Sequence, residues 1–449
     1  MPPAVRNSRR RKLGFGILIL LLPAAGYALL RVQSSRTAAP AAVPAKVVPT
    51  SSIAGYAPDA DDAAIDLQRR LDSGEAKMTF EPGQGYLRSL LQNLKIPESS
   101  QMLVFAKSSF QIDHISPQSP RALYFNDDVY VGFVPTGPFL EIAAEDPKLG
   151  PMFYTISREQ TARPMIEPQS QTRNCIVCHD SSSNDNPIPR LLMLSVLPNP
   201  AGNALRAQSL LTNDQSPMIE RWGGFYVTGT HGAQRHLGNM VVRAPASEID
   251  SIKSYIPRLN LEPGANVTDL STRFDTKQYP NPNSDIVALM LLAHQTHIHN
   301  LITLATYEVG EAIKSHPENV DKLVKEDGDL LVNAMLFAGA AKLTDPVKGT
   351  SGFAAEFSSH GLRDSHGRSL KDLDLQRRLL KYPMSYLIYS KSFDSMPAPV
   401  RDYVYRRFWK ILTGEDQSPA FAHLTETDRA DILGILKETK PAFSAAATR

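Results

Sequence analysis

Ala122-Leu123-Tyr124-Phe125-Asn126-Asp127-Asp128-Val129-Tyr130-Val131-Gly132-Phe133-Val134 is the stretch that decides the fold. Aromatic and β-branched residues flank a polar Asn-Asp-Asp turn, the pattern of two antiparallel strands joined by a short loop. Before it, Met102-Leu103-Val104-Phe105 supplies another strand; after it, Pro135-Thr136-Gly137 turns the chain into strands at Phe139 to Ala143 and Met152 to Ile156. Gln101 to Ser157 is therefore expected to be an antiparallel meander. A second β section is expected over Leu191 to Leu197, the turn Asn199-Pro200-Ala201-Gly202, Ala204 to Leu211, Gly224 to Thr228 and Met240 to Arg243.

Helical patterns lie on both sides. Asp59 to Asp72 and Tyr86 to Leu94 read as short helices, the first with Gly74 just past its end and the second stopped by Pro97. After about Ser247 the apolar period lengthens to that of a helix. A long helix capped by Ser284 is expected from Asp285 to about Ile313, a helical pair over Val320 to Ala341, and another helix over Leu370 to Leu380. Val400 to Leu412 carries a stripe of Val400, Tyr403, Val404, Phe408, Ile411 and Leu412, with Gly414 as its stop. Thr425 with Asp428 resembles a capping box for the last helix, which ends before Pro441. The expected fold class is α+β, with an antiparallel β-rich region over residues 61–246 and a mainly α-helical region over residues 247–449.

Between the two β sections lies Asn174-Cys175-Ile176-Val177-Cys178-His179, which uses both cysteines of the 449-residue chain. Cys-x-x-Cys-His is the arrangement by which haem is attached covalently. Two thiols one helical turn apart can each add to a haem vinyl group, and the adjacent imidazole then ligates the iron. A dithiol redox site shares the Cys-x-x-Cys spacing, but it opens a helix after a strand in a βαβ frame. Here the motif follows the polar stretch Arg163 to Arg173 and precedes Asp180-Ser181-Ser182-Ser183-Asn184. A structural zinc site needs about four ligands, and the chain has no second cysteine pair.

Through Cys175, Cys178 and His179 the chain resembles the c-type cytochromes, and more widely it is similar to exported bacterial monohaem proteins. The resemblance implies one haem c, thioether links at Cys175 and Cys178, and His179 as proximal iron ligand. In compact class I members the motif stands near the start of a small domain, on a helix, with an axial methionine downstream. Here it is preceded by a long chain and flanked by strand-like sequence. Pro187 or Pro189 is expected to supply the carbonyl that orients the proximal imidazole, as a proline does in that class.

The N-terminus points the same way. Arg9-Arg10-Arg11-Lys12 precedes an uncharged, mostly apolar run from Leu13 to Leu30, which Arg31 closes. Residues 1–31 read as a signal anchor or a signal peptide, and residues 32–60, rich in Ala and Pro, as a linker. The positive flank places the rest of the chain outside the cytoplasm. The expected location is the inner membrane, with the soluble part in the periplasm. A net charge of +2 and the lack of basic-aromatic interleaving argue against a nucleic-acid partner.

Other candidates concern the second axial position. His294 and His297 share a face of the long helix with Met290, Leu301 and Glu308, while His299 points elsewhere. One of the pair is a candidate distal ligand or proton donor, and both with Glu308 are a candidate separate metal site. His231 and His236, in a glycine-rich loop, are rival haem contacts, with Arg235 as a candidate propionate partner. Met193, Met218, Met240 and Met290, which all follow the motif, are candidate axial ligands. Each of these residues has a plain structural explanation as well, in packing or in a turn. Basic residues between Arg363 and Lys410 form either a docking face for an acidic redox partner or a solvated helix surface. The leading expectation is an exported, membrane-tethered haem protein that transfers electrons to a redox partner protein. The alternatives are a peroxidase-like haem oxidoreductase with a distal histidine, and a haem sensor or scaffold in a membrane complex.

Overall fold

The computed structural model of the chain describes residues 60–169, 175–179, 188–205 and 209–447. The basic N-terminus, the apolar run Leu13 to Leu30 and all but the last residue of the expected linker lie outside the described residues, as do Pro187 and the serine-rich stretch after the motif. Among the described residues no helix is long and apolar enough to cross a membrane.

The protein is α+β. Two helices, α1 (Ala63–Asp72) and α2 (Leu87–Asn93), precede the meander β1 (Met102–Val104), β2 (Arg121–Phe125), β3 (Val129–Phe133), β4 (Phe139–Asp146), β5 (Gly150–Ser157) and β6 (Ile166–Pro168). The motif forms a single helical turn, α3 (Ile176–His179). Three two-residue strands follow: β7 (Leu194–Ser195), β8 (Leu210–Leu211) and β9 (Phe225–Tyr226). The remainder is helical: α4 (Ile252–Tyr255), α5 (Ile286–Ser315), α6 (Val320–Met335), α7 (Phe353–Ser359), α8 (Lys391–Ser395), α9 (Ala398–Leu412), α10 (Glu426–Thr439) and α11 (Pro441–Ala447).

The seven-stranded sheet has the order β6-β5-β4-β3-β2-β1-β9, and every neighbouring pair is antiparallel. Its hairpins are made by side chains that substitute for backbone partners. Asn126 Oδ1 accepts from the amides of Asp128 (3.1 Å) and Val129 (2.9 Å), closing β2 onto β3. Asp146 Oδ1 does the same for Lys148 and Leu149 (2.8 Å each) between β4 and β5. Alternation along the strands then sorts residues onto two faces. Leu103, Tyr124, Val131, Ile142 and Tyr154 face α1 and α2 in one core. Val104, Leu123, Phe125, Tyr130 and Ala143 pack with α5 and the C-terminal helices in another. That second core draws on both sides of residue 246, so sheet and helices share it.

α5 is the axis of the helical part, thirty residues or about 45 Å long. Its cap is Asp285, not Ser284. Asp285 Oδ1 accepts from the amides of Val287 (2.8 Å) and Ala288 (3.3 Å), and Oδ2 from those of Thr350 and Ser351 (2.8 Å each). The Ser284 hydroxyl instead donates to the Tyr226 carbonyl (2.6 Å) and accepts from the Leu103 amide (2.9 Å), stitching β9 to β1 just before the helix starts. The expected stripe on α9 is buried, with Tyr405 added to it and Tyr403 left half-buried. Thr425 and Asp428 cap α10 reciprocally.

Three further expectations are corrected. Val320 to Ala341 is one helix that stops at Met335, because Phe337 turns left-handed at φ 58°. Leu370 to Leu380 is not helical: Asp374 Oδ1 captures the amides of Gln376 (2.8 Å) and Arg377 (3.0 Å), and Leu373 bridges Leu380. The second β section shrinks to three short strands, and Met240 to Arg243 forms none. Prolines at 198, 200 and 217 interrupt it, and Asn239 adopts φ 67°.

Candidate covalent haem site

The turn of α3 is made by the amides of Cys178 (3.1 Å) and His179 (3.0 Å), both donating to the Cys175 carbonyl. Residues three apart on a helical turn lie on one side of it. Cys175 is half-buried, Cys178 is exposed, and neither is in a disulfide.

His179 is fixed from the chain downstream. The Arg190 amide donates to the His179 carbonyl (2.8 Å), and His179 Nδ1 donates to the Arg190 carbonyl (2.8 Å). A carbonyl can only accept, so the proton of this bond sits on Nδ1 and the lone pair is left on Nε2. Burial is the main force holding the imidazole pKa below its ordinary value, so the ring is neutral. Phe153 of β5 lies 4.7 Å from it, centroid to centroid. The expectation that a proline would supply the orienting carbonyl is off by one residue: it comes from Arg190, directly after Pro189.

Arg190 is in turn positioned by α5. Asn300 takes both backbone groups of Leu191, accepting from its amide (2.7 Å) and donating to its carbonyl (2.8 Å). Asn300 carries no signal in the sequence, since a side-chain grip on backbone across 109 residues has no period.

An ion pair stands beside the motif on the same face of the sheet as Phe153. Arg121 of β2 meets Glu141 of β4 at 2.6 Å over Gly132 of β3, where an added Cβ would come within 2.9 Å of both side chains. Gln111 also donates to Glu141 (2.7 Å), as does Ser109. Burial, and after it the Glu141 charge, push the Cys175 thiol up to about 11. A protonated thiol is a poor dithiol nucleophile, which weakens the thioredoxin-type alternative. Two thiols on one turn, followed by a neutral imidazole with a fixed tautomer and an Nε2 that has no partner among the described residues, are a donor set that fits covalent haem.

The other candidates lie in different surroundings, and among the described residues Nδ1 of His231 and His297 and Nε2 of His236 have no hydrogen-bond partner. His294 is buried with both nitrogens bonded, Nδ1 to Asp214 Oδ2 (2.8 Å) and Nε2 to the Ser385 hydroxyl (2.9 Å), so neither is free for iron. His297 Nδ1 lies 3.8 Å from the same Asp214 oxygen. No grouping of three ligand atoms among the described residues includes His294, His297 or Glu308. His299 donates from Nε2 to the Asp127 carbonyl (2.9 Å).

His231 accepts from the Asn266 amide at Nε2, and His236 from the Gly238 amide at Nδ1, each at 3.0 Å. Their rings sit 4.8 Å apart, with His236 edge-on to Trp222. Burial pushes His236 down to about 3. Arg235 is paired with Glu262 (2.7 Å), whereas the guanidinium whose charge reaches Cys175 and His179 is that of Arg121. Met193 and Met290 are core residues, Met218 packs against that core, and Met240 packs in the small cluster around Leu237.

No family model, curated protein or solved structure matches the chain.

Proposed function

We propose that this chain is an exported, membrane-tethered monohaem protein of the c type whose role is electron transfer to a redox partner protein. The observation that carries the reading is the Cys175-x-x-Cys178-His179 turn, with the imidazole held through Nδ1 by Arg190 and its Nε2 without a partner among the described residues. Cys175 and Cys178 would hold the haem covalently, and His179 would ligate its iron. The bound group supplies a centre that gains and loses one electron.

The chain's own residues do the rest. Arg190 keeps the proton on Nδ1, so the ring offers iron its lone pair. Phe153 packs against the imidazole at a tilt of 45°, and Asn300 fixes the backbone that carries the orienting carbonyl. Covalent attachment suits a protein outside the cytoplasm, which cannot easily recover a lost cofactor. The N-terminal basic and apolar segments support that location from the sequence.

The test is haem staining after denaturing electrophoresis of chain made with the haem-attachment machinery. Stain should stay with the wild-type polypeptide and vanish in Cys175→Ala with Cys178→Ala. A wild-type chain that loses its haem under denaturing conditions would refute the proposal.

A further inference from the structure

Away from the motif the chain forms a cavity of about 880 Å³. That is within the range of small-molecule sites and holds about 30 waters. None of the described motif residues lines it. It opens between the segment after α6, the irregular stretch before α8 and the start of α10. Its apolar surface comes from Met290 of α5 with Phe337, Leu343, Leu380 and Tyr382.

Two features show that these walls are held in place. Phe337 on the wall and Leu375 in the adjoining turn are both left-handed, at φ 58° and 57°. Bulky residues keep that conformation only where their surroundings over-determine it. Phe337 stacks on His294 at 4.5 Å with the rings 12° from parallel, and His294 is locked between Asp214 and Ser385. Asp214, His294 and Ser385 have the hydrogen-bond order of a hydrolytic triad. Ser385, however, has no exposed surface and does not line the cavity, so the relay sets the Phe337 ring and presents no nucleophile.

The charges on the lining are unevenly matched. Asp214 is paired with His294 (2.8 Å), Asp374 with Arg377 (3.5 Å), Asp428 with Arg378 (2.5 Å) and Asp431 with Arg368 (2.6 Å). Lys342 and Lys381 also line the cavity, are exposed, and have no carboxylate within ion-pair reach among the described residues. The geometry points to a binding site for an amphipathic organic anion, its apolar body on Phe337 and Tyr382 and its acidic head between Lys342 and Lys381. This inference stands apart from the haem, since the cavity shares no described residue with the motif.

The probe is anilinonaphthalene sulfonate, which joins apolar rings to one anionic group, titrated by fluorescence into the full chain. Saturable one-to-one binding is expected, displaced by decanoate but not by decyltrimethylammonium. Lys342→Glu with Lys381→Glu, both on the surface, should weaken it by about ten-fold or more. Ala340→Trp, which fills the cavity from its wall, should abolish it. No saturable binding, equal displacement by the cationic amphiphile, or binding unchanged in both variants would overturn the inference.

Discussion

Glu145 on β4 is a carboxyl group that the fold holds against its charge, and replacing it with glutamine should change how stability depends on pH. Both of its oxygens are buried without a hydrogen-bond partner, and His299 Nδ1 approaches one of them only to 3.7 Å. Burial is the main cause that pushes its pKa from 4.5 to about 7; His299 opposes this, while Asp128, Asp146 and Asp62 add to it. Between these two values the folded chain keeps a proton that the unfolded chain has released. Stability therefore falls as pH rises across that window, at about 1.4 kcal/mol per pH unit. The whole span comes to about 3 kcal/mol, present below pH 4.5 and lost above pH 7. Glutamine is the neutral isostere, so Glu145→Gln should match the wild type near pH 4.5 and exceed it by up to about 3 kcal/mol at pH 8. Asp128, which burial raises to about 6, is coupled to Glu145 and broadens the transition. Urea denaturation of both proteins at four pH values from 5 to 8 measures the difference, in which titrating groups not coupled to Glu145 cancel. A gap that stays constant with pH would sink the reasoning.

Two further outcomes follow from the same geometry. Asn300→Ala removes both partners of the buried Leu191 backbone, so it should cost about 2 kcal/mol and speed hydrogen exchange at the Leu191 amide. Exchange at the wild-type rate would show that the clamp does not hold. Ser385 should stay unmodified by a fluorophosphonate under conditions that label a serine hydrolase, because its hydroxyl is buried against His294 and does not line the cavity; an intact-mass shift that maps to Ser385 would contradict this.

The sheet was legible because its signals are local. Strand period two, a polar turn that can bond its own backbone, and the next strand all lie within fifteen residues of one another, as Asn126 and its two amides illustrate. The helices with capping side chains were legible for the same reason, Thr425 and Asp428 most of all. The failures arose where a side chain had two plausible partners. Ser284 and Asp285 both suit a helix cap, and tertiary contacts decided between them: β1 and β9 took the serine, leaving the aspartate for α5. Leu370 to Leu380 carries a helical apolar period, but Asp374 offers its own backbone a competing turn, and the turn wins.

The candidate site divides along the same line. Cys175, Cys178 and His179 are neighbours in sequence, so their chemistry can be read directly from spacing. What fixes the tautomer of His179 is not a neighbour in that sense. The tautomer is set by a carbonyl eleven residues on, and that carbonyl is held by an asparagine on a helix more than a hundred residues away. Beyond excluding proline, such a chain of contacts puts little constraint on residue type along the way, because its links are backbone groups up to its last member, the Asn300 side chain. The α5 histidines drew notice for a real reason, but it was one of packing. His294 is buried where only a fully bonded imidazole is tolerated, and Asp214 and Ser385 provide both bonds. A histidine so satisfied is poorly placed to ligate iron, because ligation would require breaking a buried bond to a carboxylate or hydroxyl and leaving that partner unmatched. The same full satisfaction is what allows it to hold the Phe337 ring in place on the cavity wall.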